Sequence, residues 1–147
     1  MISRYSRPEM ASLWTDEHKF FLMLKIEILA CEALAHQGKI PSAALSRIKK
    51  KATFNLKRIL KREEKTHHDV VAFLWEVSSY LGEDARYLHI GLTSSDLLDT
   101  VLALQCSQAL DLIIKGLKEL RKGIGAKAMR YKIWSAWAAP MGYMPSP

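Results

Sequence analysis

Apolar residues recur along most of this chain at spacings of three and four, the period of an α-helix and not of a strand. Phe20, Leu24, Ile28, Cys31 and Ala35 form one such stripe. Thr15 stands in front of it as an N-cap, with Asp16 and Glu17 in the first turn, and Gly38 followed by Pro41 closes it. Ser42 to Lys51 reads as a short basic helix, and Asn55 caps another that runs to about Lys65. Val70, Val71, Phe73, Leu74 and Val77 then drive a helix from Asp69 that stops at Gly82, and a short helical piece, Glu83 to Leu88, leads to Gly91.

From about Ser95 the pattern changes. Leu97, Leu98, Val101, Leu102, Leu104, Ala109, Leu110, Leu112, Ile113, Ile114, Leu117 and Leu120 populate more than one face of a single helix reaching at least Lys122. At 1.5 Å per residue such a helix is roughly 40 Å long. A helix apolar on several sides needs neighbours on several sides, and this chain supplies few. The expected fold is therefore all-α, with a bundle left for other chains or further sequence to complete. The helix is expected to expose large apolar residues in an isolated monomer, so that Leu98, Leu102, Ile113 and Leu117 are not all buried within one chain. Residues 133–147 break the pattern: they carry no charge and no period, but include Trp134, Trp137, Pro140, Pro145 and Pro147, so the two tryptophans are expected to be poorly anchored.

Composition places the chain among globular proteins, with 49% hydrophobic and 25% charged residues in 147. No secretory signal is expected at the start, and the longest apolar run is far short of a membrane span. Cys31 and Cys106 lie inside helical patterns and read as buried thiols, which fits a reduced, cytoplasmic protein with no membrane partner. The net charge of +7 has a local source in Lys49, Lys50, Lys51, Lys57, Arg58, Lys61, Arg62 and Lys65. Only Phe54 is interleaved with them and no nucleic-acid motif is present, so a solvated helix face is favoured over a nucleic-acid surface.

Two polar stretches carry candidate chemistry: Thr66-His67-His68-Asp69 and Thr93-Ser94-Ser95-Asp96. Each reads as a capping-box-like Thr-x-x-Asp before an apolar run. Free amides and the positive dipole end at such a place favour an anion. Adjacent histidines at a helix start point about 100° apart, which disfavours a shared metal ion, so no metal and no cofactor are expected. Either one histidine is exposed and the other packs, or one is aimed into a cleft with Asp69 fixing its tautomer. Three hydroxyls at Thr93, Ser94 and Ser95 exceed what a cap needs and suit a carboxylate or phosphate. Arg4 and Tyr5 sit in what is either a frayed tail or, given Pro8, an ordered arm able to bind phosphate or stack on a base.

Taken together, Arg4-Tyr5-Ser6-Arg7-Pro8-Glu9-Met10, Trp14-Thr15-Asp16-Glu17, Glu27-Ile28-Leu29-Ala30-Cys31-Glu32-Ala33, His68-Asp69-Val70-Val71-Ala72-Phe73 and Gly91-Leu92-Thr93-Ser94-Ser95-Asp96 resemble the N-terminal part of the bacterial adenylosuccinate lyase family. That family belongs to the fumarase/aspartase superfamily. The resemblance runs from Met1 to about Lys132. It implies β-elimination of fumarate from adenylosuccinate, and from the succinyl-carboxamide intermediate of purine synthesis, without a metal. It implies that Arg4 and Tyr5 contact the nucleotide and that His67, His68 and Asp69 line the pocket. His68 matches a histidine with an active-site role in catalysis or substrate orientation, and Thr93 and Ser94 match substrate-binding hydroxyls. It also implies a homotetramer whose sites draw on several subunits.

The expected organisation is an N-terminal helical domain over 1–92, the first long helix of the central bundle over 93–132, and a tail outside the family pattern over 133–147. The family continues with Gly-Arg-Thr-His-Gly-x-His-Ala-Glu-Pro where that tail lies. Taking the last base of each codon with the first two of the next, Trp137 into Ala138 forces GGC, Met141 into Gly142 forces GGG, and Met144 into Pro145 forces GCC. These read Gly, Gly and Ala, and the intervening codons permit the rest of the motif. A one-base frameshift near Lys132 or Ile133 is therefore expected, and with it a fragment inactive by itself. Two other classes stay open: a non-catalytic helical nucleotide-binding or oligomerisation module, and a basic RNA-associating helical domain.

Overall fold

The computed structural model describes residues 3–132, and all of the described secondary structure is helical. A 3-10 turn, Ser3–Tyr5, precedes α1 (Pro8–Ser12), α2 (Asp16–His36), α3 (Ser42–Lys51), α4 (Leu56–Thr66) and α5 (Asp69–Leu81). A second 3-10 segment, Gly82–Tyr87, leads to α6 (Ser94–Arg130). The expectations for Trp134, Trp137 and the rest of 133–147 lie outside the described residues.

Local chemistry sets these boundaries. The Thr15 hydroxyl accepts from His18 N at 3.2 Å, and Asp16 and Glu17 face the positive end of α2. Gly38, at φ +74°, supplies the left-handed residue beyond the end of α2. Asn55 caps α4 by accepting from Arg58 N at 3.2 Å. Lys49, Lys50 and Lys51 occupy the last turn of α3, where positive charge meets the exposed carbonyl end.

The chain divides into two compact units. In the first, residues 1–110, the core is built from Phe20, Met23, Ile48, Ile59, Val70, Phe73, Val77, Leu97 and Val101. Phe20 stacks on Phe73 with ring centroids 5.8 Å apart. Each such side chain contributes about 1.5–3 kcal/mol by leaving water. The inward line of α2 differs from the stripe expected. Phe20, Met23, Glu27 and Cys31 are buried, whereas Leu24, Ile28 and Ala35 pack only partly against the core. An acidic residue in that line broke the apolar pattern and displaced the reading of the inward face.

The second unit covers residues 111–147, and its described part is the remainder of α6 followed by a turn. Ile113, Ile114, Leu117, Leu120 and Ile124 are all exposed. Leu102 is exposed too, while Leu98 is half-buried against the core of the first unit. By length and composition α6 could cross a membrane, which the count of uninterrupted apolar runs did not anticipate. Gln105, Ser107 and Gln108 interrupt those runs without making the helix polar overall. A core helix of a soluble bundle meets the same description.

Candidate active site

His67, His68 and Asp69 lie at the junction of α4 and α5, but not as a capping box. Thr66 is the last residue of α4 and His67 is its C-cap at φ +50°, its N–H donating to Glu63 O at 2.8 Å. His68 is extended and precedes α5. The Thr66 hydroxyl donates to His68 O at 3.1 Å and accepts from His68 N at 3.4 Å, so it stitches the junction instead of opening a helix. The two histidines are therefore not on a helix start, and the 100° relation does not apply. Both are exposed.

Asp69 opens α5. Its Oδ1 accepts from Val70 N at 2.8 Å, and its Oδ2 meets Lys19 Nζ of α2 at 2.6 Å. Burial works against the charged carboxyl, but the Lys19 hydrogen bond and charge, with the Val70 N–H, outweigh it and hold the group below the usual carboxylate range. His68 Nδ1 stands 3.8 Å from Asp69 Oδ1, beyond hydrogen-bond distance, so Asp69 does not fix the tautomer of this ring through a hydrogen bond.

The entry to α6 is the reciprocal cap that the sequence pattern predicts. Thr93 N donates to Asp96 Oδ2 at 2.7 Å, the Thr93 hydroxyl donates to the same oxygen at 2.8 Å, and Asp96 N donates back to that hydroxyl at 3.3 Å. These bonds, led by the Thr93 N–H, hold Asp96 below its ordinary pKa. The Thr93 hydroxyl is thus committed to the cap. The Ser94 hydroxyl, in the first residue of α6, has no hydrogen-bond partner among the described residues and is half-buried.

Arg4 and Tyr5 form the first 3-10 turn, both exposed, with the Arg4 guanidinium 4.8 Å from the Tyr5 ring centroid. Among the described residues no hydrogen bond or ion pair joins the His67–Asp69 junction to the Thr93–Asp96 cap. A cavity of about 480 Å³ lies elsewhere, lined by Ser12, Thr15, Glu17, His18, Phe21, Thr53 and Phe54. Among the described residues no group of three or more His, Cys, Asp or Glu could hold a metal ion.

Two closely paired polar centres escaped the sequence reading. Glu27, fully buried in α2, accepts from His89 N at 2.9 Å and pairs with His89 Nδ1 at 2.6 Å. Glu76, fully buried in α5, meets Arg62 Nε at 2.9 Å and Arg58 Nε at 3.2 Å. The available signal was an acidic residue inside an apolar helical line, since a carboxylate there requires a partner. One thiol also differs from expectation. Cys31 is buried as expected, but Cys106 is exposed, because among the described residues nothing covers the α6 face that carries it.

Residues 3–133 match the family model described as Lyase. Over 132 residues the chain is 48% identical to an adenylosuccinate lyase of Synechocystis sp. and 47% identical to an adenylosuccinate lyase of Bacillus subtilis. In each case the similarity covers 90% of this chain and 31% of the relative, so the chain spans about a third of the length of these relatives. Among solved structures, a fumarate lyase of Mesorhizobium sp. superposes with a TM-score of 0.77 at 26% identity, over 86% of this chain and 31% of that one. A match this long, carried by both sequence and helical architecture, means that the chain belongs to the lyase family.

Proposed function

We propose that this chain supplies the N-terminal part of an adenylosuccinate lyase, a cytoplasmic enzyme of purine nucleotide biosynthesis that works as a homotetramer. The reaction is β-elimination. A base removes the proton beside a carboxylate of the succinyl group, the carbon–nitrogen bond breaks, and an acid protonates the leaving nitrogen as fumarate departs. The near-half identity to adenylosuccinate lyases over 132 residues carries this reading.

Within it, each candidate residue has a role suited to its chemistry. Arg4 binds the nucleotide phosphate, and Tyr5, exposed beside it, adds a hydroxyl or a stacking face. His68 is the imidazole that donates a proton or orients the substrate, with the Asp69 carboxylate 3.8 Å from its Nδ1 and His67 at the same rim. Ser94 offers a free hydroxyl to a succinyl carboxylate, and Thr93 holds the end of α6 that presents it. Domains 1–92 and 93–132 are the N-terminal helical domain and the start of the shared bundle. The base and the remaining contacts come from further sequence and other subunits, a reading that the exposed apolar residues of α6 support.

Turnover of adenylosuccinate, followed by the ultraviolet absorbance change as fumarate forms, tests the proposal in two proteins: the 147-residue chain and a version whose reading frame is restored after Lys132. Elimination by the restored protein and none by the chain alone is expected. No elimination by a folded, tetrameric restored protein would overturn the assignment.

A further inference from the structure

The segment between the second 3-10 turn and α6 is tied to the middle of α2 at two points. Cys31 Sγ donates to Tyr87 O at 3.4 Å, and one helical turn earlier Glu27 takes both the backbone N–H and the ring Nδ1 of His89. Glu27 is fully buried, and a carboxylate in a core persists only where hydrogen bonds and charge replace its water. His89 takes φ +60°, a left-handed conformation that a non-glycine side chain adopts when its surroundings impose it. Two residues on, Gly91 also has a positive φ, so the chain makes a tight reversal directly before Thr93.

We infer that Glu27 is a positioning residue: through its two hydrogen bonds to His89 it sets the 89–93 turn and thereby the Thr93–Ser94 end of the site. The functional consequence rests on the proposed role of Thr93 and Ser94 in substrate binding. The positional claim does not need a ligand to be tested.

The alternative to positioning is that Glu27 merely stabilises the core. Solvent exchange of individual amides in the 147-residue chain, read by nuclear magnetic resonance, separates the two. Glu27→Ala is expected to speed exchange of the Thr93 and Asp96 amides by about tenfold or more relative to Phe73 and Val101, the effect of losing a charge-assisted bond local to the turn. Equal acceleration at all four positions overturns the inference. His89→Gly provides a second test should Glu27→Ala fail to fold. Glycine accepts the left-handed backbone freely, so if strain relief dominates, Thr93 and Asp96 become better protected, and the inference falls. If the ring–carboxylate bond sets the turn, they exchange faster despite the relief. Relative to the wild-type chain, the His89 Nδ1 resonance must also shift in folded Glu27→Gln; an unmoved resonance would show that the contact is not formed in solution. Absence of elimination by the folded, frame-restored protein would overturn the proposed function alone and leave these exchange results standing.

Discussion

Lys19 Nζ lies 2.6 Å from Asp69 Oδ2, joining the first turn of α2 to the first turn of α5 directly beside His68. Both side chains keep roughly a quarter to a third of their surface in water, so screening limits what the pair contributes. Lys19→Met is expected to destabilise the chain by about 1 kcal/mol at most, measured by denaturant unfolding. Its clearer mark is on titration. Without the ammonium, burial of the Asp69 carboxyl is opposed only by the Val70 N–H and the field of His68, and its pKa rises, which carbon-detected resonance of the carboxyl would record.

Acid should weaken this fold through a small set of carboxylates. Asp69, Asp84 and Asp96 all have folded-state pKa values below the ordinary one. For Asp84 the first cause is the paired Arg47 contact, with Nε at 2.7 Å and the second nitrogen at 2.8 Å. A depressed carboxylate contributes stability that is fully present above its unfolded value of about 3.9 and is lost as pH falls through the folded value. The melting temperature should therefore decline as pH drops below about 4, and Arg47→Met should make that decline shallower by removing the share held by Asp84. An unchanged acid limb in Arg47→Met would deny Asp84 that role.

The helices were legible because their caps are local. Thr15, Asn55 and Thr93 each act on an amide three residues on, and the sequence shows that relation directly. The same pattern at Thr66 misleads because α4 extends to that residue and consumes it, a competition that no single Thr-x-x-Asp stretch reveals. The pairing of Glu27 and of Glu76 was hidden for a different reason. Their partners lie on other elements, His89 for one and Arg58 with Arg62 for the other. The roles proposed for Arg4, Tyr5, His68 and Ser94 rest on resemblance, since polar residues at element ends have no periodic signature.

The two thiols should react very differently. Burial, then the nearby Glu27 charge, pushes Cys31 up to about 11, whereas Cys106 is exposed. The thiolate is the reactive form, so a disulfide reagent near neutral pH should modify Cys106 promptly and leave Cys31 protected until the protein unfolds. Cys106→Ser should abolish the fast phase. A fast phase that survives this substitution would mean that the α2 contact between Cys31 and Tyr87 opens readily.

On α6, Leu110, Ile113, Leu117, Leu120 and Ile124 are exposed in the single chain. Apolar surface of that extent drives association. Sedimentation of the 147-residue chain is expected to show concentration-dependent self-association, reduced by Leu117→Lys combined with Ile124→Lys without loss of helical content. Monomeric behaviour of the unsubstituted chain at high concentration would mean that this face needs a partner other than a second copy.

The roles proposed for His68 and Arg4 differ in which kinetic constant each should move. A proton donor or charge partner acts on the changing bonds, so in the frame-restored enzyme His68→Ala is expected to lower kcat by about 100-fold to 10,000-fold. The phosphate carries the same charge in substrate and transition state. A contact to it contributes equally to both, and Arg4→Ala should raise KM while leaving kcat nearly unchanged. Arg4→Lys should recover only part of the loss, because an ammonium cannot reproduce the two-pronged contact of a guanidinium with phosphate oxygens. The 4.8 Å approach of the Arg4 guanidinium to the Tyr5 ring adds a further expectation. Tyr5→Phe keeps that aromatic face and should preserve the position of Arg4, whereas Tyr5→Ala should raise KM in the same direction as Arg4→Ala. An unchanged KM in Arg4→Ala would remove the phosphate assignment, and a fall in kcat with KM unmoved would place Arg4 at the reacting end of the substrate instead.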